Sequence, residues 1–517
     1  MSQQRRGGKS KSTISSKKNV SEKFDRLKCL SRVEDLLRDA DLWENVDDLK
    51  LVKTVQKLED ALFEMRFAWQ SWNEKKSVFQ EARSENYEEL RHDLLTRHGE
   101  ENKLIWHPNA VFKTENNLGG MYASEKIDAG EILFCIPSSV MFLVPDDDIY
   151  IRNETFAMAL RLAAEDQLPD SKFAIYLKCL PRKFCIPTVW PVSSFTQLIG
   201  SETLKAACNL KRAAATLYCQ WLETNYIKQI GINQHKEDVF HLSYDHFIWA
   251  LCNVVTRQNA IPVDGSKTKI ALIPGWDLCN HHRDAPASLY RSDNCLELQA
   301  TKDIEKGEQI YMFYGNRSSE EFVLHSGFLP LDCLHRVSIA IHLSDDSIYT
   351  NRTIAKLVPN LLAKAGFSIC KNYSVRGSFR REPLMEDRIY VEPSLSAIAL
   401  AVTADKSRLA HLIRSGHFTQ WRPMDDDHAV FAIDFLRSIC DKEIARRSAA
   451  RAMVLHSCGA FTEKQQTSSD LLDLCDYEAN PDALANALWT IEFSILLKVT
   501  FGEKSSLYIF RDDEEEN

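Results

Sequence analysis

The spacing of apolar residues along the chain changes several times between the period of a helix and that of a strand. Between residues 33 and 72 apolar side chains recur every three or four positions, which predicts one long helix or two shorter ones. The recurring residues are Leu36, Leu37, Val52, Val55, Leu58, Leu62, Met65 and Trp69. The helical period returns between residues 153 and 255. The helices predicted there are Phe156 to Asp166, Lys172 to Cys179, Glu202 to Tyr226 and Tyr244 to Val255.

Short apolar runs bounded by turn residues predict strands on both sides of this helical segment. Ahead of it, Ile132 to Ile136 is a predicted strand. The Gly119–Gly120 pair either forms the rim of a small-ligand site or simply connects a hairpin. After the helical segment the predicted strands are Ile270 to Pro274, Leu296 to Ala300, Gln309 to Phe313 and Arg336 to Leu343. Beyond Thr353 the pattern is mainly helical.

The order of these patterns predicts an α+β protein with a helical insert between two strand-rich parts and an all-α C-terminal domain. The predicted regions are a disordered basic tail (1–20), an N-terminal helical region (21–100), a first strand-rich part (101–152), the insert (153–255), a second strand-rich part (256–345), the C-terminal domain (346–510) and an acidic tail (511–517). No internal repeat is evident.

Composition and charge narrow the class of protein. The 517 residues carry 64 Lys and Arg against 73 Asp and Glu, a net charge of −9, which disfavours tight sequence-independent binding of nucleic acid. No uninterrupted run of about 18 apolar residues occurs, so no membrane-spanning helix is expected. The polar, basic start of the chain does not resemble a secretory signal. We expect a cytoplasmic monomer, and the basic tail leaves nuclear entry open.

The 14 cysteines are too sparse for a disulfide scaffold and include no C-x-x-C pair. We therefore expect reduced, mostly buried thiols and no structural zinc site. Cys279, His281 and His282 form the nearest alternative, but three ligands within four residues rarely close a tetrahedral site.

Two segments, 254–282 and 307–328, mix polar and aromatic residues with apolar strand residues. Taken singly, each of their residues has an ordinary structural interpretation. Trp276 is more often a core residue, Arg257 a surface ion-pair partner, and Tyr314 part of a packed aromatic stripe. The combination, in this order and about 30 residues apart, is more specific than its parts.

These segments resemble the SET-domain methyltransferases, in particular the Rubisco-type branch with a helical insert. The resemblance covers about residues 83–328. It is carried by Asp277-Leu278-Cys279-Asn280-His281 and by Gly307-Glu308-Gln309-Ile310-Tyr311 followed by Phe313-Tyr314-Gly315. The segments Ala123 to Pro137 and Tyr176 to Pro187 are similar to the opening strands and to an element of the insert. Residues 101–152 and 256–345 then correspond to the two parts of the SET domain.

Within that branch the chain is most similar to the actin-histidine N-methyltransferases. The similar segments are Thr256-Arg257-Gln258-Asn259-x-Ile261-Pro262, Leu272-Ile273-Pro274-x-Trp276-Asp277, Tyr314-Gly315-x-Arg317-Ser318, Glu321-Phe322-Val323 and His325-Ser326-Gly327-Phe328. Lysine-methylating relatives usually carry a Ser-Arg-x-Phe type of sequence where this chain has Thr-Arg-Gln-Asn. The resemblance implies transfer of a methyl group from S-adenosylmethionine to a histidine of actin, with S-adenosylhomocysteine as product.

The resemblance also implies roles for individual residues. Catalysis is expected of Tyr314 and Asn259, and no metal is expected. The residues expected at the cofactor are Arg83, Arg257, Asp277, Asn280, His281, Tyr314, Ser326 and Phe328. Those expected at the substrate are Asn259, Trp276 and Arg317. A departure from the family pattern is the cofactor loop, commonly Glu-Glu-Gly-Phe-Gly and here Asn116-Asn117-Leu118-Gly119-Gly120.

A histidine acceptor fits the residue types on chemical grounds. A neutral imidazole needs no strong base, but its tautomer must be fixed so that one ring nitrogen keeps a free lone pair. A neutral amide such as that of Asn259 is suited to this task, although an Asn at such a position also caps backbone groups. Two other functions stay open: a non-histone protein-lysine methyltransferase, and a SET-fold scaffold that binds actin or another protein without turnover.

Overall fold

The structure is a computed structural model of the 517-residue chain. The described residues are 27–44, 46–69, 84–98, 104–115, 118–145, 152–168, 170–224, 242–264, 267–285, 289–291, 294–330, 334–342, 348–349, 352–364, 370–378, 389–415, 421–458, 480–501 and 507–508. The predicted basic and acidic tails, Arg83 and the Asn116–Asn117 part of the cofactor loop lie outside them.

Helices form most of the described secondary structure. They are α1 (27–38), α2 (Asp48–Trp69), α3 (Ser84–His98), α4 (Glu154–Glu165), α5 (Ala174–Cys179), α6 (Val192–Gln197), α7 (Thr203–Leu222), α8 (Tyr244–Arg257), α9 (Ser319–His325), α10 (Arg352–Lys364), α11 (Pro393–Thr403), α12 (Lys406–Arg414), α13 (Asp426–Cys458) and α14 (Pro481–Phe501). The four helices predicted between residues 153 and 255 are confirmed as α4, α5, α7 and α8. Side-chain caps begin two of them, since Asn153 accepts from the Phe156 amide and Ser243 from the His246 amide.

The strands are short. They are β1 (Ile105–Trp106), β2 (Ala110–Glu115), β3 (Leu118–Ala123), β4 (Ile132–Pro137), β5 (Phe142–Leu143), β6 (Asn259–Asp264), β7 (Lys267–Leu272), β8 (Asn280–His281), β9 (Leu289–Tyr290), β10 (Cys295–Gln299), β11 (Gln309–Met312), β12 (Leu334–His342), β13 (Cys370–Ser378), β14 (Ile389–Val391) and β15 (Leu507–Tyr508). The α+β class predicted from the sequence is confirmed.

The chain divides into two compact units. The first comprises Met1–Val192 with Ala207–Gly315, and the second comprises Ser193–Ala206 with Asn316–Asn517. One boundary therefore falls inside α7 and another directly after Gly315. The strand expected to end the second strand-rich part, β12, belongs to the second unit.

Three small sheets build the first unit, with strand orders β1-β4-β10-β9, β2-β3-β11-β8 and β5-β7-β6. The pairing of β8 with β11 is parallel, and it sets Asn280 beside Tyr311 and His281 beside Met312. In the third sheet β6 begins at Asn259, which pairs with Ala271. Three of the predicted site residues, Asn259, Asn280 and His281, lie in strands of these two sheets.

The C-terminal domain predicted over residues 346–510 is not all-α as expected. Strands β13, β14 and β15 lie within it and form a four-stranded sheet with β12, which was predicted as a strand. The alternating apolar residues of β12 predict a strand. Its nine-residue partner β13 (CKNYSVRGS) is largely polar, and only Tyr373 and Val375 alternate with polar residues in it. So short an alternation does not predict a nine-residue strand, and pairing with β12 accounts for its length.

Helix α14 is long and apolar enough to cross a membrane, judged by length and composition alone. No such helix was expected from the sequence, because that expectation considered only uninterrupted apolar runs. The apolar run of α14 is interrupted by Asp482, Glu492 and Lys498. Half of the most apolar 18-residue stretch of α14 is buried inside the protein, and Glu492 of this helix pairs with the buried Arg447. Such burial is typical of the core helix of a folded domain.

Candidate functional site

The β8–β11 pairing brings the Asn-His motif and the predicted catalytic tyrosine together in the first unit. The His281 ring accepts a hydrogen bond at Nδ1 from the Tyr314 amide, at 3.1 Å, and the two rings lie 5.2 Å apart between centroids. The Tyr314 hydroxyl donates to the Cys279 carbonyl oxygen at 2.8 Å. The hydroxyl proton is thus engaged by the backbone, which leaves the oxygen lone pairs of Tyr314 as acceptors.

Asn280 connects this motif to the glycine pair of β3. Its Nδ2 donates to the Gly119 carbonyl oxygen at 3.0 Å. A Cβ atom on Gly120 would lie 2.9 Å from Asn280 Nδ2 and 2.2 Å from the side-chain amide of Gln309. A side chain at position 120 would displace these two amides, so glycine permits their close approach. The glycine pair lies within strand β3 of the β2–β3 hairpin, and its role at a ligand site stays a prediction.

Behind the motif lies a buried charged cluster of Tyr176, Arg257 and Asp277. The Asp277 side chain is 2% exposed, and its Oδ2 accepts from the Tyr176 hydroxyl at 2.5 Å. Arg257 Nη1 donates to the Asp277 carbonyl oxygen at 2.5 Å and lies 3.8 Å from Oδ2. Asp277 Oδ1 and Arg257 Nε are buried and have no hydrogen-bond partner among the described residues.

Burial controls the ionisation of this cluster. It raises the pKa of the Asp277 carboxyl above its usual value, although the Arg257 guanidinium and the Tyr176 hydroxyl oppose the shift. It also raises the pKa of Tyr176, and the neighbouring carboxylate adds to that rise. For Arg257, burial lowers the pKa, but Asp277 and the surrounding tyrosine hydroxyls outweigh it, and the net shift is upward.

Asn259 lies at the start of β6, two residues after the end of α8. Its Nδ2 donates to the Arg257 carbonyl oxygen at 2.9 Å. This hydrogen bond is the backbone capping that the structural interpretation predicted, and it also orients the amide. Its Oδ1 accepts no hydrogen bond from the described residues, so it is available as an acceptor.

Trp276 is expected at the substrate, and the structure places it in the core. It is 1% exposed, and its ring meets that of Phe134 edge to face at 6.5 Å. Its Nε1 is buried and has no hydrogen-bond partner in the described part of the chain. Its burial corresponds to the core interpretation of this residue, and a contact of Trp276 with the substrate stays a prediction.

Three of the predicted site residues, Arg317, Ser326 and Phe328, belong to the second unit. Arg317 Nη1 donates to Ser326 Oγ at 3.2 Å, so one predicted substrate residue contacts one predicted cofactor residue. The Phe328 ring packs on Phe322 at 5.2 Å between centroids. Helix α9 holds these residues in place through a capping box between Ser318 and Glu321.

Sequence reasoning missed the partner of Asp277. Tyr176 was noted as part of a family element, but its contact with a residue 101 positions away has no local signature. The described residues contain no group of three or more His, Cys, Asp and Glu side chains arranged to hold a metal ion.

Residues 119–315 match the sequence profile of the SET domain family. The chain carries a SET domain. The matched stretch runs from Gly119 to Gly315 and includes Asn259, Asp277, Asn280, His281 and Tyr314. Arg317, Ser326 and Phe328 follow the SET domain in the chain.

Curated relatives also match this region. The actin-histidine N-methyltransferase of Danio rerio is 30% identical over 298 residues, which are 54% of this chain and 46% of that protein. The human protein of the same name is 28% identical over 298 residues, covering 54% of this chain and 47% of the relative. The chain thus spans about half the length of the curated relatives it matches.

Solved structures share the fold. A structure described as the SET domain of LSMT bound to lysine and AdoHcy aligns with a TM-score of 0.55 and 17% identity, covering 80% of this chain and 90% of that one. A structure of Rubisco LSMT bound to AdoMet aligns with a TM-score of 0.54, at the same identity and coverage. At this identity the likeness concerns the fold of the SET domain and its helical regions.

Proposed function

We propose that this chain is an S-adenosylmethionine-dependent protein-histidine N-methyltransferase whose substrate is actin. The proposal rests on the Asn259 side-chain amide. Its Nδ2 donates to the Arg257 carbonyl oxygen, which fixes the amide, and its Oδ1 remains available as an acceptor. Asn259 lies in the same unit as Tyr314 and the Asn-His motif. The names of the curated relatives and the SET profile support it.

The residues of the first unit suit S-adenosylmethionine. The Arg257 guanidinium stays protonated, and its buried Nε has no hydrogen-bond partner among the described residues. Such a group complements a carboxylate. Gly120 lets the Asn280 and Gln309 amides approach the β3 backbone closely, because a Cβ atom there would lie 2.9 and 2.2 Å from them. Arg257, Asp277, Asn280 and His281 are the proposed holders of the cofactor in this unit. A role for Ser326 and Phe328, which belong to the second unit, stays a prediction from the family resemblance.

When bound, S-adenosylmethionine supplies a methyl group on a sulfonium centre, which is already a good leaving group. The protein's task is then alignment and exclusion of water. Tyr314 presents oxygen lone pairs in a fixed direction because its proton is held by the Cys279 carbonyl. Fixed lone pairs of this kind stabilise positive charge without reorganisation.

Asn259 explains a preference for imidazole. Its Oδ1 can accept the N–H of a histidine ring, which leaves the lone pair on the other ring nitrogen as the nucleophile. The ring gains the methyl group and its N–H proton leaves to solvent, so no catalytic base is needed at neutral pH. A lysine ammonium must first lose a proton. An amide oxygen fixed as acceptor therefore favours histidine.

The test uses purified protein, labelled S-adenosylmethionine and unmethylated actin, with products mapped by mass spectrometry. We expect label on an actin histidine. Tyr314→Phe should lower kcat by about a hundredfold, the order of magnitude for removing one positioned polar group. Asn259→Ala should lower kcat/KM on the same histidine by about tenfold or more. Tyr311→Phe, a change of the same kind three residues earlier, should retain activity.

Other outcomes contradict the proposal in distinct ways. Label on a lysine would make the chain a protein-lysine methyltransferase and leave Asn259 a structural residue. Absence of label together with absence of cofactor binding in calorimetry would favour a SET-fold scaffold.

A further inference from the structure

We propose that Tyr176 is a positioning residue for methyl transfer, which fixes the backbone segment 277–280 from the helical insert. The inference rests on the proposed function. It assigns to α5 a role in the site, although none of its residues was expected at the cofactor or the substrate.

Segment 277–280 is held by hydrogen bonds from several directions. Arg257 donates to the Asp277 carbonyl, Tyr314 to the Cys279 carbonyl, and the Asn280 side chain itself donates to Gly119. Each of these bonds belongs to the proposed machinery. The Tyr176 hydroxyl supplies a further bond, at 2.5 Å to Asp277 Oδ2, from a residue that takes no part in the chemistry.

Tyr176 is the closest donor to a carboxyl group that is poorly satisfied otherwise. Asp277 Oδ1 has no hydrogen-bond partner among the described residues, and Arg257 Nη1 lies 3.8 Å from Oδ2. Buried carboxylates need hydrogen bonds to stay ionised. Without the Tyr176 hydroxyl, the ionised form of Asp277 would depend on Arg257 and on its own backbone amide.

Among the described residues, one cation, Arg257, is found in the groups that interact electrostatically with Asp277. They are Tyr87 on α3, Tyr176 and Cys179 on α5, Arg257 on α8, and Cys279 in its own segment. Loss of the Tyr176 hydrogen bond therefore raises the pKa of Asp277 further above its usual value. A protonated Asp277 no longer attracts Arg257, whose carbonyl orients Asn259. The change passes from the insert to the proposed substrate amide through Arg257.

The first test compares Tyr176→Phe with Tyr218→Phe, a control matched in burial. Both tyrosines are 2% exposed and lie in the first unit, but the Tyr218 hydroxyl donates to the Leu242 backbone carbonyl. We expect Tyr176→Phe to lower kcat by about tenfold to a hundredfold, as small misplacements do, with less effect on KM. The acid limb of its pH–kcat profile should move upward by about one pH unit. Tyr218→Phe should leave the profile in place.

A second readout is independent of turnover. A carboxyl whose pKa is raised in the folded state costs stability increasingly as the pH rises through that pKa. The difference in melting temperature between wild type and Tyr176→Phe should therefore grow from pH 5 to pH 8, whereas that of Tyr218→Phe should stay constant. In an Asp277→Asn background the pH-dependent part should vanish, which is the signature of a coupled pair.

The outcomes separate this inference from the proposed function. No turnover by the wild type overturns the proposed function and the inference with it. Turnover by Tyr176→Phe at the wild-type rate and with an unshifted profile overturns the inference alone. If Tyr176→Phe does not fold, Asp277→Asn decides instead: its acid limb should disappear if Asp277 governs it, and an unchanged limb overturns the inference.

Discussion

Each of the two units buries an arginine beside carboxylates, and the two clusters differ in how fully their polar atoms are paired. In the second unit, Arg447 is completely buried and donates through Nε to Glu443 and through Nη1 to Glu492, at 2.7 and 2.6 Å. Glu492 also accepts from Ser201 and Thr203, at 2.6 and 2.8 Å. In the first unit, Asp277 Oδ1 and Arg257 Nε have no partner among the described residues.

The difference separates a structural cluster from a candidate functional one. Arg447, Glu443 and Glu492 form what we call the saturated cluster. Hydrogen bonds from Arg446 and attraction by Arg447 outweigh burial and lower the pKa of Glu443, so this carboxyl stays ionised. Burial prevails at Asp277 and raises its pKa. Unpaired polar atoms in a native interior are costly and call for an explanation. A site that binds a charged ligand provides one.

The largest expected effect is on the saturated cluster. Arg447→Met leaves two buried carboxylates without their shared cation and should lower the free energy of unfolding by about 3–5 kcal/mol. Denaturant unfolding followed by circular dichroism measures this loss. Arg446→Met is the control: this side chain is 44% exposed and also pairs with Glu443, so its loss should cost about 1 kcal/mol or less.

The same pair of variants tests the assignment of a structural role. The folded fraction of Arg447→Met should keep wild-type affinity for S-adenosylhomocysteine. Wild-type stability combined with weakened ligand binding would reverse the comparison and make the saturated cluster the functional one.

Local patterns were sufficient for one strand of the site in the first unit. The run Gln309 to Phe313 predicted strand β11, whereas strand β8 at Asn280–His281 and its parallel pairing with β11 were not predicted. Strand β13 and the Tyr176–Asp277 contact were not predictable, since both depend on residues distant in the chain. Trp276 shows the remaining limit, because a buried aromatic residue has the same local pattern whether it packs a core or lines a pocket.

An intermediate effect is expected at the glycine pair, where side chains of the first unit approach the β3 backbone closely. In Gly120→Ala the new Cβ would displace the Gln309 and Asn280 amides, which lie within 2.2 and 2.9 Å of its position. Affinity for S-adenosylhomocysteine in calorimetry should fall by about tenfold, equivalent to about 1.4 kcal/mol.

Gly130→Ala separates this steric effect from backbone strain. Gly130 has a φ of +91°, and a Cβ atom there meets nothing within 4 Å. The control should lose about 1–2 kcal/mol of stability through its left-handed backbone while it binds the ligand normally. Unchanged affinity in Gly120→Ala would show that the positions of the Asn280 and Gln309 amides do not affect cofactor binding.

The smallest effect concerns a carboxyl pair that shares one arginine at the surface of the first unit. Arg38 Nη2 lies 3.3 Å from Glu34 Oε2 and 3.1 Å from Glu223 Oε1. Burial and the adjacent Glu223 carboxyl raise the pKa of Glu34 to about 7. A raised carboxyl pKa destabilises the folded state only as the pH rises through it. Glu34→Gln should therefore raise the melting temperature at pH 8 and have little effect at pH 5.

Solvent screening limits this gain to less than about 1 kcal/mol, because the pair is partly exposed. Glu64→Gln, which removes an exposed carboxyl paired with Arg32 on the neighbouring helix, should change the melting temperature by a similar small amount at both pH values. Differential scanning fluorimetry at the two pH values resolves the contrast. An equal response of Glu34→Gln at pH 5 and pH 8 would mean that one arginine satisfies two carboxylates as well as the network around Arg447 does. Incomplete pairing would then lose its value as a marker of function in this protein.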